Sequence, residues 1–343
     1  MTELAARYLG LDLRSPVVAS ASPLSGTADG VRRLADSGVG AVVLPSLFEE
    51  RLREEAARDA AAADAGADSF AESLSYFPAA ASADGGPHRY LSLLKRAAAA
   101  VDIPVIASLN GASTGGWTDY ASALQDAGAA AIELNIYYLP GAPPSASPSP
   151  FISGSEVEQR HVDILTTVKA VVSIPVAVKL SPYFSSTGEM ARRLDRAGAD
   201  GLVLFNRFLQ PDIDPETLTV TVRPGLSTQA EGRLPRTWIA LLAGQVRASL
   251  AATTGVETAA DVASYLLAGA DVVMTASALL RHGPGYAAVL LGGLSDWLAR
   301  KGFSSLAEAR GLLAVPDSTD QAAYERAGYV TALEEANQGY GPW

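Results

Sequence analysis

DSGVGAVVLPS (residues 36–46), DAGAAAIELN (126–135), RAGADGLVLFN (196–206) and LAGADVVMTAS (267–277) are four versions of one phrase. Each opens on a small-residue turn containing glycine, runs through a short apolar stretch and stops at a polar or small residue. The stretches are rich in aliphatic and β-branched side chains and too short to span a membrane, the pattern of a strand buried on both faces. The glycine suits the end of a preceding helix, where a positive φ penalises any residue with a Cβ. Four such units predict parallel strands fed by helices.

Three further strands begin at proline, in PVVASA (16–21), PVIASL (104–109) and PVAVKL (175–180). Proline is tolerated there because the first residue of a strand need not donate to the interior ladder. A weaker eighth strand is read at 248–252. Apolar residues at helical spacing mark helices over 30–36, 90–99, 120–126, 156–172, 188–197 and 259–267. Strands alternating with helices in this number predict an α/β fold, a closed (β/α)8 TIM barrel rather than an open doubly wound sheet. Such a barrel takes roughly 250 residues, so a single domain spanning 1–343 is expected, with the remainder in insertions at the C-terminal face of the strands. Residues 49–85 read as an insertion after the second strand, 208–235 as a β-hairpin arm carrying the alternating ETLTVTVRPG, and 312–343 as a C-terminal extension. Loops at that face surround the chemistry of such barrels.

Composition removes several function classes. The 343 residues are 48% hydrophobic and 18% charged, which is globular. A net charge of -11 and a pI near 4.8 repel a phosphate backbone, so no nucleic-acid partner is expected. Cysteine is absent, which excludes disulfides, thiolate nucleophiles and iron–sulfur clusters. His88, His161 and His282 fall in no zinc-binding spacing, so no metal site is expected and they read as surface or helix residues. The opening MTELAARYLG carries Glu3 and no long apolar run, so neither signal peptide nor membrane anchor is read, and the expected location is cytoplasmic.

The strand ends hold the candidate chemistry. Lys179 interrupts the apolar run VAVKL and must reach a polar partner, since an isolated buried charge costs several kcal/mol. That partner is an electron-rich ligand, a structural counter-ion, or a carbonyl carbon if the lysine forms a Schiff base. Asn135 and Asn206 close AAIELN and LVLFN alike, and each offers a donor and an acceptor to a planar ligand. Glu133 faces either Lys179 inside the barrel or a helix outside it. Thr254, Gly255, Ala276 and Ser277 lie at the ends of the seventh and eighth strands, the usual phosphate position in barrels, where small and hydroxyl residues let backbone N–H groups approach an anion. Tyr137 and Tyr138 follow Asn135 and serve either packing or proton transfer.

Read together, these residues resemble a known family. TTGVETAADVASYLLAGAD (253–271), SAL (277–279), HGP (282–284), VKLSPYF (178–184), IELN (132–135), DPE (214–216) and KGFSSL (301–306) are similar to class 1 dihydroorotate dehydrogenases. The likeness runs in order from about residue 9 to 311 and is thin over 49–86. It implies a flavoprotein oxidoreductase of the kind that serves pyrimidine biosynthesis, with FMN at the barrel mouth. Lys179 would face the flavin, Asn135 would stand between flavin and substrate, Asn206 would face the ligand, and Ser20 and Ala21 would be among the cofactor contacts. The family holds the FMN phosphate with a Gly-Gly turn and a later Gly-Thr or Gly-Ser; here those positions read Thr254-Gly255 and Ala276-Ser277.

The substrate side departs from the family. Tyr138 stands where class 1 members place a cysteine base and the membrane-associated class a serine. Pro45 replaces a lysine, Pro140 replaces an asparagine, and SLSYFPAAAS (73–82) does not match the family's recognition loop. The resemblance therefore implies an FMN-dependent dehydrogenase or reductase acting on CH–CH bonds of a small cyclic or conjugated compound, with Tyr138 and Lys179 as catalytic residues. The alternatives are an authentic dihydroorotate dehydrogenase that uses the tyrosine, a flavin-independent lyase or aldolase, and a non-catalytic barrel paralogue. A small-molecule substrate, no membrane partner and a homodimer complete the expectation.

Overall fold

The computed structural model describes residues 3–48, 87–110, 114–137, 151–207, 211–221, 225–316 and 318–340. The insertion read at 49–85 lies outside the described residues, as does Tyr138.

A short antiparallel hairpin, β1 (Ala6–Tyr8) and β2 (Leu11–Leu13), precedes the barrel. Eight parallel strands then close on themselves: β3 (Val17–Ala19), β4 (Ala41–Phe48), β5 (Val105–Asn110), β6 (Ala131–Asn135), β7 (Val176–Leu180), β8 (Gly201–Leu204), β11 (Ser249–Ala252) and β12 (Val272–Thr275). Each pairs with its sequence neighbours, and β12 returns to β3. All eight strands read from the sequence are present, including the weak one.

Alternation along each strand divides the core in two. Val42, Leu44, Val105, Ile132, Leu134, Val176, Val178, Leu202 and Leu204 pack outward against the helices. Val18, Val43, Ile106, Val203, Val272 and Met274 fill the interior with four alanines, Ala41, Ala131, Ala177 and Ala251. The lower end is closed by Tyr8, Leu9 and Leu13 of the hairpin, and the Leu9 N–H donates to Ser249 Oγ at the start of β11.

The repeated phrase has a structural cause. Gly38, Gly128, Gly198 and Gly269 carry φ values of 95°, 94°, 96° and 114°, each ending a helix before a strand. In two repeats the aspartate after the glycine then ties adjacent strands: Asp200 Oδ2 accepts the Val176 N–H and Asp271 Oδ2 the Leu250 N–H, both at 2.7 Å.

The six expected helices are found at Ala28–Asp36, Pro87–Ala100, Thr114–Asp126, Gly154–Lys169, Thr187–Arg196 and Ala259–Ala268. Arg233–Leu242 and Tyr286–Lys301 are helices that the sequence reading did not identify. Within 208–235 the described hairpin is confined to β9 (Asp212–Asp214) and β10 (Thr219–Thr221); from Gln229 the chain is helical and returns to the barrel wall. A helix over Gln321–Tyr340 follows the barrel. No helix among the described residues is long and apolar enough to cross a membrane.

Candidate active site at the strand ends

Lys179 and Glu133 both point into the barrel. They occupy neighbouring strands, β7 and β6, and Lys179 Nζ donates to Glu133 Oε1 at 3.2 Å. Both are buried, Glu133 to 1% exposure, so each charge is compensated mainly by the other. The open question about Glu133 is thus decided inward. Its second oxygen, Oε2, has no hydrogen-bond partner among the described residues.

One step nearer the mouth, Asn206 Nδ2 donates to Asn135 Oδ1 at 2.6 Å, and Asn135 Nδ2 donates to Ser46 Oγ at 3.0 Å. Ser46 in turn bonds Ser108 at 2.8 Å. This chain crosses four strand ends and fixes which edge of each amide faces which way.

On the opposite side, the ends of β11 and β12 meet the segment that follows the outer hairpin. The Ser227 N–H and hydroxyl both reach Ser277 Oγ, at 3.0 and 2.9 Å, and the Gly255 N–H reaches Ser227 Oγ at 3.3 Å. Backbone and hydroxyl groups are therefore linked in one chain, from the Gly255 N–H through the Ser227 hydroxyl to Ser277 Oγ. Gly255 cannot be replaced cheaply: its φ is +72°, and an added Cβ would stand 2.5 Å from the Gly232 nitrogen. Thr254 has φ +79°, a conformation that a β-branched residue rarely adopts. Two arginines hold the same segment, Arg207 by the Gly225 carbonyl and Arg281 by the Ser227 carbonyl at 2.7 Å, and each also contacts a glutamate, Glu231 and Glu257 respectively.

Between these groups lies a partly open cavity of about 130 Å³. Ser20, Ala21, Lys179, Asn206, Thr254, Ala276 and Ser277 all line it. Asn135 and Gly255 stand directly behind the wall, bonded to Asn206 and Ser227. The sequence reading missed Ser227 and Arg207, which line it too, as does Thr253, the neighbour of Thr254. The signal for Ser227 was the hydroxyl-bearing turn G-L-S-T (225–228), hidden because the whole stretch was read as hairpin. Arg207 and Thr253 directly follow Asn206 and Ala252 in sequence.

Parallel strands, a closed ring and a polar cavity at the strands' C-terminal ends define a (β/α)8 barrel with its site in the usual place for that class. A family model described as dihydroorotate dehydrogenase matches residues 69–298. A protein of Aeropyrum pernix, named as a candidate dihydroorotate dehydrogenase A (fumarate), is 30% identical over 319 residues, covering 90% of this chain and 97% of that protein. The catalytic subunit of dihydroorotate dehydrogenase B (NAD(+)) from Shouchella clausii is 30% identical over 214 residues, covering 61% of this chain and 68% of that subunit. The chain belongs to the dihydroorotate dehydrogenase family of flavin-dependent oxidoreductases.

Proposed function

We propose that this chain is an FMN-dependent oxidoreductase that transfers hydride between a small cyclic or conjugated substrate and the flavin. The observation that carries the reading is a cavity at the strand ends. Residues chosen for a flavin from sequence, on five different strands or strand ends, line one and the same cavity.

The residues present fit the group. The linked Ser227 and Ser277 hydroxyls on the cavity wall, backed by the Gly255 N–H, would suit a phosphate, which accepts from several N–H and O–H groups at once. Thr254 and Ala276 would complete that cradle. Lys179 would bring positive charge to the electron-rich edge of a flavin ring, with Asn135 and Asn206 orienting ring and substrate by their locked amides. FMN, when bound, supplies the two-electron hydride acceptor that no side chain provides. Tyr138 would exchange the accompanying proton with the substrate, because it takes the position at which the family carries its base. Schiff-base chemistry at Lys179 is disfavoured: it requires a free amine, whereas this lysine is engaged by Glu133.

Dihydroorotate is the first substrate to test, since the relatives' names carry it. A cytoplasmic location and a homodimer belong to the same proposal. Protein purified without added cofactor is expected to show flavin absorption, or to acquire it on titration with FMN, and to bleach anaerobically with its substrate. Absence of flavin bands together with no FMN binding overturns the reading.

A further inference from the structure

Tyr265, on the helix Ala259–Ala268, is fully buried at 0% exposure, behind the cavity rather than on its lining. Its hydroxyl nevertheless reaches three backbone carbonyls, Thr254 at 2.6 Å and Thr253 and Gly232 at 3.3 Å each. A phenol has one proton, so the short contact to Thr254 is the bond it donates. Burial pushes its pKa well above that of a free phenol, against the opposing pull of Arg236, whose guanidinium lies 5.6 Å from the ring centre. The hydroxyl therefore stays a donor.

What that bond fixes is a peptide plane. The Thr254–Gly255 peptide is trans, so its carbonyl and its N–H point in opposite directions. With the carbonyl drawn back toward the helix, the N–H is sent forward to Ser227 Oγ, on the cavity wall. A flipped peptide would turn an oxygen that way instead, and an oxygen repels an anion. The restraint is needed because Thr254 sits at φ +79° and Gly255 at +72°. A β-branched residue resists the left-handed region, and relaxing it means rotating the peptides whose carbonyls the phenol touches.

We propose that Tyr265 is a positioning residue for the anion cradle: its hydroxyl latches the Thr254 carbonyl away from the cavity and so holds the Gly255 N–H on Ser227 Oγ, fixing the wall hydroxyl that would meet the terminal phosphate of the flavin nucleotide. This rests on the reading of the site as an FMN site. It adds a residue that touches neither cofactor nor substrate, and it makes the latch conditional on the threonine at 254.

The test compares FMN with riboflavin, which has the same ring and lacks the phosphate, by fluorescence titration of the full-length chain. For Tyr265→Phe the FMN dissociation constant is expected to rise about five- to tenfold, the range for one lost hydrogen bond, while that of riboflavin stays within twofold. Thr254→Gly removes the steric reason for the latch, so Tyr265→Phe in that background is expected to change FMN affinity less than twofold. Parallel loss of both flavins, an unchanged FMN affinity, or the same ratio in both backgrounds overturns the inference and leaves the function standing. Wild-type protein that binds neither flavin overturns both.

Discussion

Within the barrel, Lys179 and Glu133 place opposite charges 3.2 Å apart where water has little access. Removing one charge strands the other, and such changes cost roughly 3–5 kcal/mol. Glu133→Gln is therefore expected to lower the stability of the protein by about 3 kcal/mol or more in urea unfolding, with the slope of the transition unchanged. A loss below about 1 kcal/mol shows that solvent or another group already compensates Lys179. Tyr138 belongs to the same scale. Tyr138→Phe is expected to leave FMN affinity unchanged and to slow substrate-dependent flavin reduction about 100-fold or more, the usual contribution of a proton-transfer group. Unchanged reduction kinetics assign the tyrosine to packing.

The helix Ala259–Ala268 carries the next level. Asp261 stands at its third position, and the Thr258 side chain and the Asp261 carboxylate each bond the other's backbone N–H. Partial burial pushes the Asp261 pKa up, yet the bonds from Gln229, Thr258 and Glu257 outweigh it and the net shift is downward. A lowered folded-state value means that the carboxylate's contribution is fully present above the ordinary aspartate pKa and is lost as pH falls through the folded one. Thermal scans should then show wild type exceeding Asp261→Asn at pH 6, with the gap closing as pH drops below about 4. A gap independent of pH assigns the difference to lost side-chain geometry rather than to charge. The effect reaches the site because this helix starts just beyond Gly255 and carries Tyr265.

For the whole molecule, the two ends of the barrel have separate tasks. The hairpin Ala6–Leu13 closes the lower end with Tyr8, Leu9 and Leu13, whereas every group in the cavity lies at the other end. Leu13→Ala is expected to cost about 2–5 kcal/mol of global stability, read by denaturant unfolding, with the FMN dissociation constant of the folded protein unchanged. A parallel loss of FMN affinity would show that the ends are mechanically coupled.

The strands were legible because a barrel strand announces itself locally. An aliphatic run with a polar or small stop follows a glycine of positive φ in four strands and a proline in three, and the weak eighth run completes the count from the chain alone. Lys179, Asn135, Asn206 and Ser277 were legible for a related reason: polar residues at the ends of apolar strands must find partners. Ser227 was not, because its segment enters the site from a long excursion after β8, and nothing in P-G-L-S-T reveals which strand end it returns to. Tyr265 was concealed in an apolar helical face, where a tyrosine reads as packing.

The sequence by itself determined the ring of strands, the family, and which polar side chains stop at the upper rim, since each depends on neighbours a few residues apart. Only the tertiary structure decided that Glu133 turns inward to Lys179, that Ser227 joins Ser277, and that a buried phenol bonds the Thr254 carbonyl. Those partners are 46, 50 and 11 residues apart in the chain, and hydrogen bonds at such separations form where chain closure brings the groups together rather than where local spacing does.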